Sequence, residues 1–284
     1  MPELSYDGTF EGLLSILAKV CRGAPPPNRI RRLLPRGAPD QPDLFGPHGL
    51  PGGIFYPSSG EAAAAMAKEF FELSATAYDC FLCGWMSEFP IEVECIRFGG
   101  RVFSAARVAA EAAGRGMGSP EARRGAEQAA ADRGTADVRT VLDTACKVRH
   151  ETDRLFGFLR FRADTRGTYI ARCAPDHFIL PRLAGHFSRR FGGTPWLIID
   201  EKRELCLWGD GRGEPRLLDP AALSRERALF GGRESGMAPG EDPWEDLWRT
   251  YHCSINNPGR KNPGLQRQFM PARYWKYLPE MGGD

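Results

Sequence analysis

Near residue 157 the spacing of apolar residues changes from helical to alternating, and this switch limits the fold more than any other feature of the chain. Upstream, Phe10, Leu13, Leu14, Leu17 and Cys21 recur at helical intervals. Residues 10–22 are therefore predicted to form an amphipathic helix, with Thr9 as its cap. Ala62, Met66, Phe70 and Leu73 mark another helix, opened by Ser58 or Ser59. Tyr78, Phe81, Leu82 and Trp85 continue as a further one, and a helix starting at Pro90 carries Val93, Ile96 and Arg97. Val138, Val141, Leu142, Ala145, Val148, Thr152 and Leu155 give a long helix of good period. Short strands are predicted at residues 4–6 and 54–56. Downstream of the switch, residues 157–162 and 168–173 read as paired strands around a turn at 164–167. Residues 196–200 and 205–208 read as a second hairpin, with an edge strand at 215–218 and a helix over 178–191. The expected fold is α+β: a helical N-terminal half, then a small antiparallel sheet with one packed helix and a basic-aromatic C-terminal tail.

Prolines and glycines divide this pattern. Residues 1–113 form a mainly helical region broken by a Pro/Gly-rich loop at 23–53. Residues 114–134, rich in Gly, Ala and Arg, read as a linker or a frayed helix. Residues 135–284 form the α+β region with its tail. No run of eighteen apolar residues occurs, so no membrane span and no membrane partner is expected. The N-terminus has neither a basic n-region nor an apolar h-region, which points to a cytoplasmic protein whose eight cysteines stay reduced.

The near-neutral net charge of +2 hides a segregation. Residues 12–39 contain Lys19, Arg22, Arg29, Arg31, Arg32 and Arg36 and no acid. Residues 249–278 are again free of acids, whereas 61–94 carry seven acids against Lys68 alone. Such a division suits one surface that faces a polyanion and another that does not. In the tail, basic groups alternate with Phe269, Tyr274, Trp275 and Tyr277. Cations neutralise phosphates, rings stack on unpaired bases and amides read base edges. Arg260, Lys261, Gln266, Arg267, Gln268, Arg273, Tyr274, Trp275 and Lys276 are therefore candidate DNA contacts. In the bland alternative, Phe269, Met270, Trp275 and Leu278 dock the tail on the core; both are expected to hold, the aromatics partly anchoring the tail and the basic residues facing outward. Arg182, His186, Arg189 and Arg190 form a further basic stripe on the predicted 178–191 helix, and its three arginines join the DNA-binding set.

The tail, Arg260-Lys261-Asn262-Pro263-Gly264-Leu265-Gln266-Arg267-Gln268-Phe269-Met270-Pro271-Ala272-Arg273-Tyr274-Trp275-Lys276-Tyr277-Leu278, resembles the ending of a bacterial DNA repair and DNA metabolism family built on a domain of unknown function. Tyr6-Asp7-Gly8-Thr9-Phe10-Glu11-Gly12-Leu13-Leu14 and Gly157-Phe158-Leu159-Arg160-Phe161-Arg162 resemble the same family. So do Pro175-Asp176-His177, His186-Phe187, Arg190, Pro195-Trp196-Leu197-Ile198 and Asp200-Glu201-Lys202-Arg203. The resemblance implies a DNA context, a radical SAM protein encoded nearby as partner, and in some members fusion to a uracil-DNA glycosylase-like domain. This chain departs from the family in its 23–53 loop, its 114–134 insert and the Asn-Asn-Pro-Gly before Arg260.

Within the 23–53 loop, Gln41-Pro42-Asp43-Leu44-Phe45 resembles the bacterial sliding-clamp-binding peptide, with Pro42 where Leu is usual. Leu44 and Phe45 would fill an apolar pocket of the clamp, Gln41 a polar one, and Asp43 keeps the motif's pattern. The same two apolar residues could equally tuck the loop onto its own core. His177, His186, Asp176 and Glu151 could form a general acid–base or metal site. Against that, Asp176 could simply cap the following helix. Cys80-Phe81-Leu82-Cys83 is a lone C-x-x-C on an apolar helix and reads as core. The chain has no radical SAM cysteine triad, P-loop, dinucleotide fingerprint or zinc-deaminase signature, so no cofactor and no metal are expected. Three readings follow: a DNA-binding accessory to a radical SAM partner, an enzyme acting on damaged or modified DNA, or an assembly module bridging partner and clamp.

Overall fold

The computed structural model describes residues 3–33, 53–56, 60–164, 166–229, 247, 250–251, 254, 259 and 262–281. The chain divides into two compact units, Met1–His150 and Glu151–Asp284. The helical first half and the small sheet of the second half make the fold α+β.

The first unit opens with β1 (Glu3–Tyr6), α1 (Phe10–Cys21), β2 (Ile30–Arg32) and β3 (Gly53–Tyr56). The strands form a parallel sheet in the order β2-β1-β3, with Leu4 opposite both Ile30 and Ile54. Parallel neighbours need a crossover, and α1 supplies the one between β1 and β2. Thr9 caps α1 as expected. Its hydroxyl accepts the Gly12 N–H at 2.9 Å and donates to Asp7 at 2.7 Å. The predicted Pro/Gly-rich loop thus contains β2, a strand too short to show a period in the sequence. The helices α2 (Gly60–Leu73), α3 (Ala75–Met86) and α4 (Glu92–Ala112) follow near their expected places. The Ser58 or Ser59 cap lies outside the described residues. Phe70 of α2 sits 5.5 Å from the Phe81 ring and 5.2 Å from the Phe103 ring, which builds an aromatic centre among the three helices.

The 114–134 segment, expected as a linker or a frayed helix, is corrected to a capped helix. It contains α5 (Pro120–Ala131), capped by Ser119, which accepts the Ala122 N–H at 3.2 Å. Ala122, Ala126 and Ala130 are buried. A Cβ at Gly125 would lie 2.8 Å from the Ala105 carbonyl oxygen and 2.8 Å from the Ala109 Cβ. The small residues therefore serve close packing of α5 on α4 rather than chain freedom, and composition alone cannot separate those uses. α6 (Ala136–Phe158) comes next, as the long predicted period required.

The second unit holds β4 (Arg162–Ala163), β5 (Tyr169–Cys173), α7 (Leu180–Phe191), β6 (Trp196–Asp200), β7 (Leu205–Gly209), β8 (Arg216–Leu218) and α8 (Pro220–Leu229). Its sheet runs in that order, β4-β5-β6-β7-β8. The sheet is mixed rather than antiparallel, because β5 and β6 are parallel and α7 is their crossover. The predicted 157–162 strand does not form as read: residues 157 and 158 end α6, 159–161 are irregular, and only Arg162 and Ala163 pair with β5. Phe158 and Phe161 instead turn to Tyr274 and to the Phe187 and Phe191 rings. The 205–208 hairpin and the 216–218 edge strand form as read. Strand alternation gives the sheet two apolar faces. Trp196 meets Phe187 and Phe191 of α7, while Leu197, Cys206 and Trp208 pack with Leu223 of α8. Gly209 has a steric reason, since a Cβ there would stand 2.5 Å from the Trp196 indole. The tail then forms α9 (Pro263–Phe269) and two 3-10 turns, Ala272–Tyr277 and Pro279–Met281.

Candidate functional site: a carboxylate-held turn and the docked tail

Residues 174–179 link β5 to α7, and two buried carboxylates hold this turn from opposite chemical sides. Glu151, Leu155 and Phe158 share one stripe of α6 by helical spacing. The Glu151 side chain is only 3% exposed. Its Oε1 accepts the Asp176 N–H at 2.8 Å and its Oε2 accepts the His177 N–H at 2.8 Å. The Tyr274 hydroxyl donates to Oε1 at 2.7 Å, and Arg273 approaches the same oxygen at 3.4 Å. Arg273 also pairs with Asp176 at 2.8 Å and lies over the Tyr274 ring, 4.8 Å from its centroid. Burial, then the neighbouring Glu151 carboxylate, push the Tyr274 phenol well above its ordinary range.

The carbonyl groups of the turn are held by Arg203. It donates to Pro175 O at 3.1 Å and Asp176 O at 2.8 Å, and it pairs with Asp200 at 2.7 Å. Lys202 adds a bond to Asp176 O at 3.2 Å. Asp200 is fully buried at the end of β6, where its Oδ1 also accepts the Lys202 and Arg203 N–H groups of the hairpin turn. Four residues further on, Glu204 adopts φ 53, the left-handed geometry that completes this turn.

A second contact ties the tail to the same hairpin. Glu201 accepts from Tyr277 at 2.7 Å and pairs with Lys276 at 3.3 Å and Arg172 at 3.5 Å. The Tyr277 bond, with Lys276 and Arg172 behind it, lowers the Glu201 carboxyl pKa below its ordinary value of 4.5. A depressed carboxylate stabilises the fold above that ordinary value, and the contribution is lost as pH falls through the folded value. Protease sensitivity of the tail should therefore rise as pH drops below about 4.5. Glu201→Gln should flatten that dependence, and an identical pH profile in wild type and variant would contradict the assignment.

These contacts decide where the sequence-predicted residues lie. Glu151, Asp176 and His177 come together, but through the backbone of the turn. His186 makes no hydrogen bond to them. It stacks on Phe156 at 4.4 Å, and its pKa is lowered by burial and by Arg190 and Arg189. Asp176 pairs with Arg273 rather than capping α7, whose N-cap is Ile179 with no side-chain bond. Glu151 already receives four donors, so the geometry holds a loop and leaves little room for proton transfer. Among the described residues no group of His, Cys, Asp and Glu is placed to hold a metal ion.

The tail divides into a docked part and an exposed part. Tyr274 is 1% exposed, which takes it out of the proposed base-stacking set. Trp275 is partly buried and gives its indole N–H to Met270 O at 2.9 Å. Arg273 and Lys276 spend their charge on Glu151, Asp176 and Glu201. Gln266 bonds the Met281 sulfur at 3.5 Å. By contrast, Arg267, Gln268 and Phe269 of α9 are exposed, with Phe269 at 66%. Phe269 was expected to help dock the tail, and its exposure corrects that expectation. On α7, Arg189 and Arg190 are exposed and Arg182 is partly buried. Arg260 and Lys261, and the clamp-like Gln41, Asp43, Leu44 and Phe45, lie outside the described residues. The Asp200–Arg203 clamp was missed by site reasoning. Its available signal was an Asp at a strand end with turn-forming residues directly after it.

A family model described as a domain of unknown function, DUF4130, matches residues 121–280, more than half of the chain. The chain belongs to that family. The DUF4130 match takes in Glu151, the turn, the Asp200–Arg203 clamp and the docked tail, so every part of this arrangement lies within the family's own span. No curated protein and no solved structure matches the chain. No helix among the described residues is long and apolar enough to cross a membrane.

Proposed function

We propose that this protein is a DNA-binding accessory of DNA repair or DNA metabolism, working in the cytoplasm beside a radical SAM partner. The observation that carries the reading is Phe269, a ring 66% exposed between chain neighbours able to reach a nucleic acid strand. Arg267 and Gln268 precede it on the same short helix, and Asn262 caps that helix by accepting the Leu265 N–H at 3.0 Å. Below it, the Tyr274 and Glu201 contacts fix the tail. A rigidly held ring costs little further ordering when a base stacks on it. Arg267 would meet a phosphate, Gln268 a base edge, and Phe269 an unpaired base. Arg189 and Arg190 on α7 add exposed cations in the same unit. The radical SAM partner follows from the resemblance of the tail and of the 175–203 segment to the DNA repair and DNA metabolism family.

Fluorescence anisotropy of the full chain with labelled single- and double-stranded oligonucleotides tests this. Stacking on one ring is worth about 1–3 kcal/mol per base, so Phe269→Ala combined with Arg267→Glu should weaken single-strand binding about tenfold or more. Duplex binding should change less, because a paired base offers no face to the ring. Unchanged single-strand affinity in that variant, with an unaltered melting curve, would remove α9 from the interface.

A further inference from the structure

We infer that the first unit carries a second ligand site, a cleft for a phosphate ester, formed between β2 and the start of α4. The cleft encloses about 730 Å³, within the range of small-molecule sites. Arg29, Arg31, Arg97 and Asn28 line it, against a single acid, Glu94. Arg31 and Arg97, neither of which forms an ion pair among the described residues, outnumber the one carboxylate and leave positive charge in a concave space, and guanidinium forks match phosphate oxygens. Ile30, Pro90 and Val93 supply an apolar patch beside those cations, suited to a sugar or base attached to the phosphate.

The walls are built rather than incidental. Strand alternation sends Arg31 and Arg32 to opposite sides of β2. Arg32 bonds the Tyr6 hydroxyl at 3.1 Å and forms an ion pair with Glu92, whose side chain is 9% exposed. That pair joins β2 to the first turn of α4. Arg97 is braced by Asn28 at 3.3 Å. Among the described residues neither Arg31 nor Arg97 forms an ion pair, and both are exposed. The site lies in the first unit, so it stands or falls independently of the α9 contact. Its phosphate ester could belong to a mononucleotide or to the backbone of a DNA strand.

Calorimetric titration of the full chain with pyrophosphate and with a nucleoside diphosphate, at low salt, tests the cleft. A labelled single-stranded oligonucleotide is the third probe. The expected result is binding of both small probes, weakened about tenfold or more by Arg31→Glu with Arg97→Glu. The milder pair Arg31→Gln with Arg97→Gln should lose less and keep the wild-type melting curve. Displacement of the oligonucleotide by the small probes assigns the cleft to a strand backbone. Small-probe binding without displacement assigns it to a mononucleotide. No binding of either small probe by the wild type, or equal binding by wild type and both variant pairs, overturns the inference. The Phe269→Ala, Arg267→Glu variant should bind the small probes normally, so failure at α9 and failure at the cleft give different patterns.

Discussion

Asp200→Ala should cost the second unit about 3–5 kcal/mol, a large share of the roughly 5–15 kcal/mol that keeps a domain of ordinary stability folded. The carboxylate has no exposed surface, and the Arg203 side chain is 8% exposed. Removing the acid takes the carboxylate partner from a buried guanidinium that still meets the neutral carbonyls of Pro175 and Asp176. It also takes away the acceptor for two N–H groups of the 201–204 turn. Both losses fall on the β6–β7 hairpin and on the turn leading to α7, so the damage reaches both faces of the sheet. Urea unfolding followed by Trp196 and Trp208 fluorescence measures it. Asp200→Asn should cost less, since its amide oxygen can still accept the turn N–H groups. Asp200→Ala combined with Arg203→Met should recover part of the loss, because the unpaired charge is gone. Equal and additive effects in the two single variants would show that the pair is not a coupled unit.

The parts of this molecule that were legible in the sequence are those governed by local rules. Helical spacing placed α1, α4 and α6, and Thr9 announced its cap three residues before the Gly12 N–H it binds. The β6–β7 hairpin was legible because alternation and turn residues agree there. What escaped depends on partners distant in sequence. α5 was hidden because Ala and Gly serve flexible segments and tight helix contacts alike, and only Ala105 and Ala109 decide between them. The parallel β5–β6 pairing was hidden because a strand's own pattern does not state its neighbour's direction. For the site, sequence reasoning grouped Glu151, Asp176, His177 and His186; the first three meet through the backbone of the turn, while His186 stacks on Phe156. Arg273 and Tyr274 were placed in the DNA-binding set because a cation beside a ring reads the same whether it faces a nucleic acid or Glu151, 122 and 123 residues away along the chain.

Glu151→Gln, isosteric with the native residue, should cost about 3 kcal/mol and release the tail. Both native oxygens accept: Oε1 from Asp176, Tyr274 and Arg273, and Oε2 from His177. A glutamine offers one acceptor oxygen and one NH₂ donor, so whichever way it turns, its NH₂ confronts a backbone N–H of the turn. One buried donor must then go unsatisfied, at about 1–3 kcal/mol, and the charge assistance to the remaining bonds is lost as well. Arg273 keeps Asp176 but loses its deeper partner. Tyr274→Phe isolates the tail's share of the effect, since it deletes one donor and leaves the two backbone bonds intact. Its expected cost is about 1–2 kcal/mol, with tail release but a sound sheet. Limited proteolysis reports the tail, and hydrogen exchange at Asp176 and His177 reports the turn. In Glu151→Gln both readouts should move. In Tyr274→Phe only the first should. If Glu151→Gln freed the tail while exchange at 176 and 177 stayed at the wild-type rate, the carboxylate would be an anchor for the tail alone, and the turn would owe its shape to Arg203.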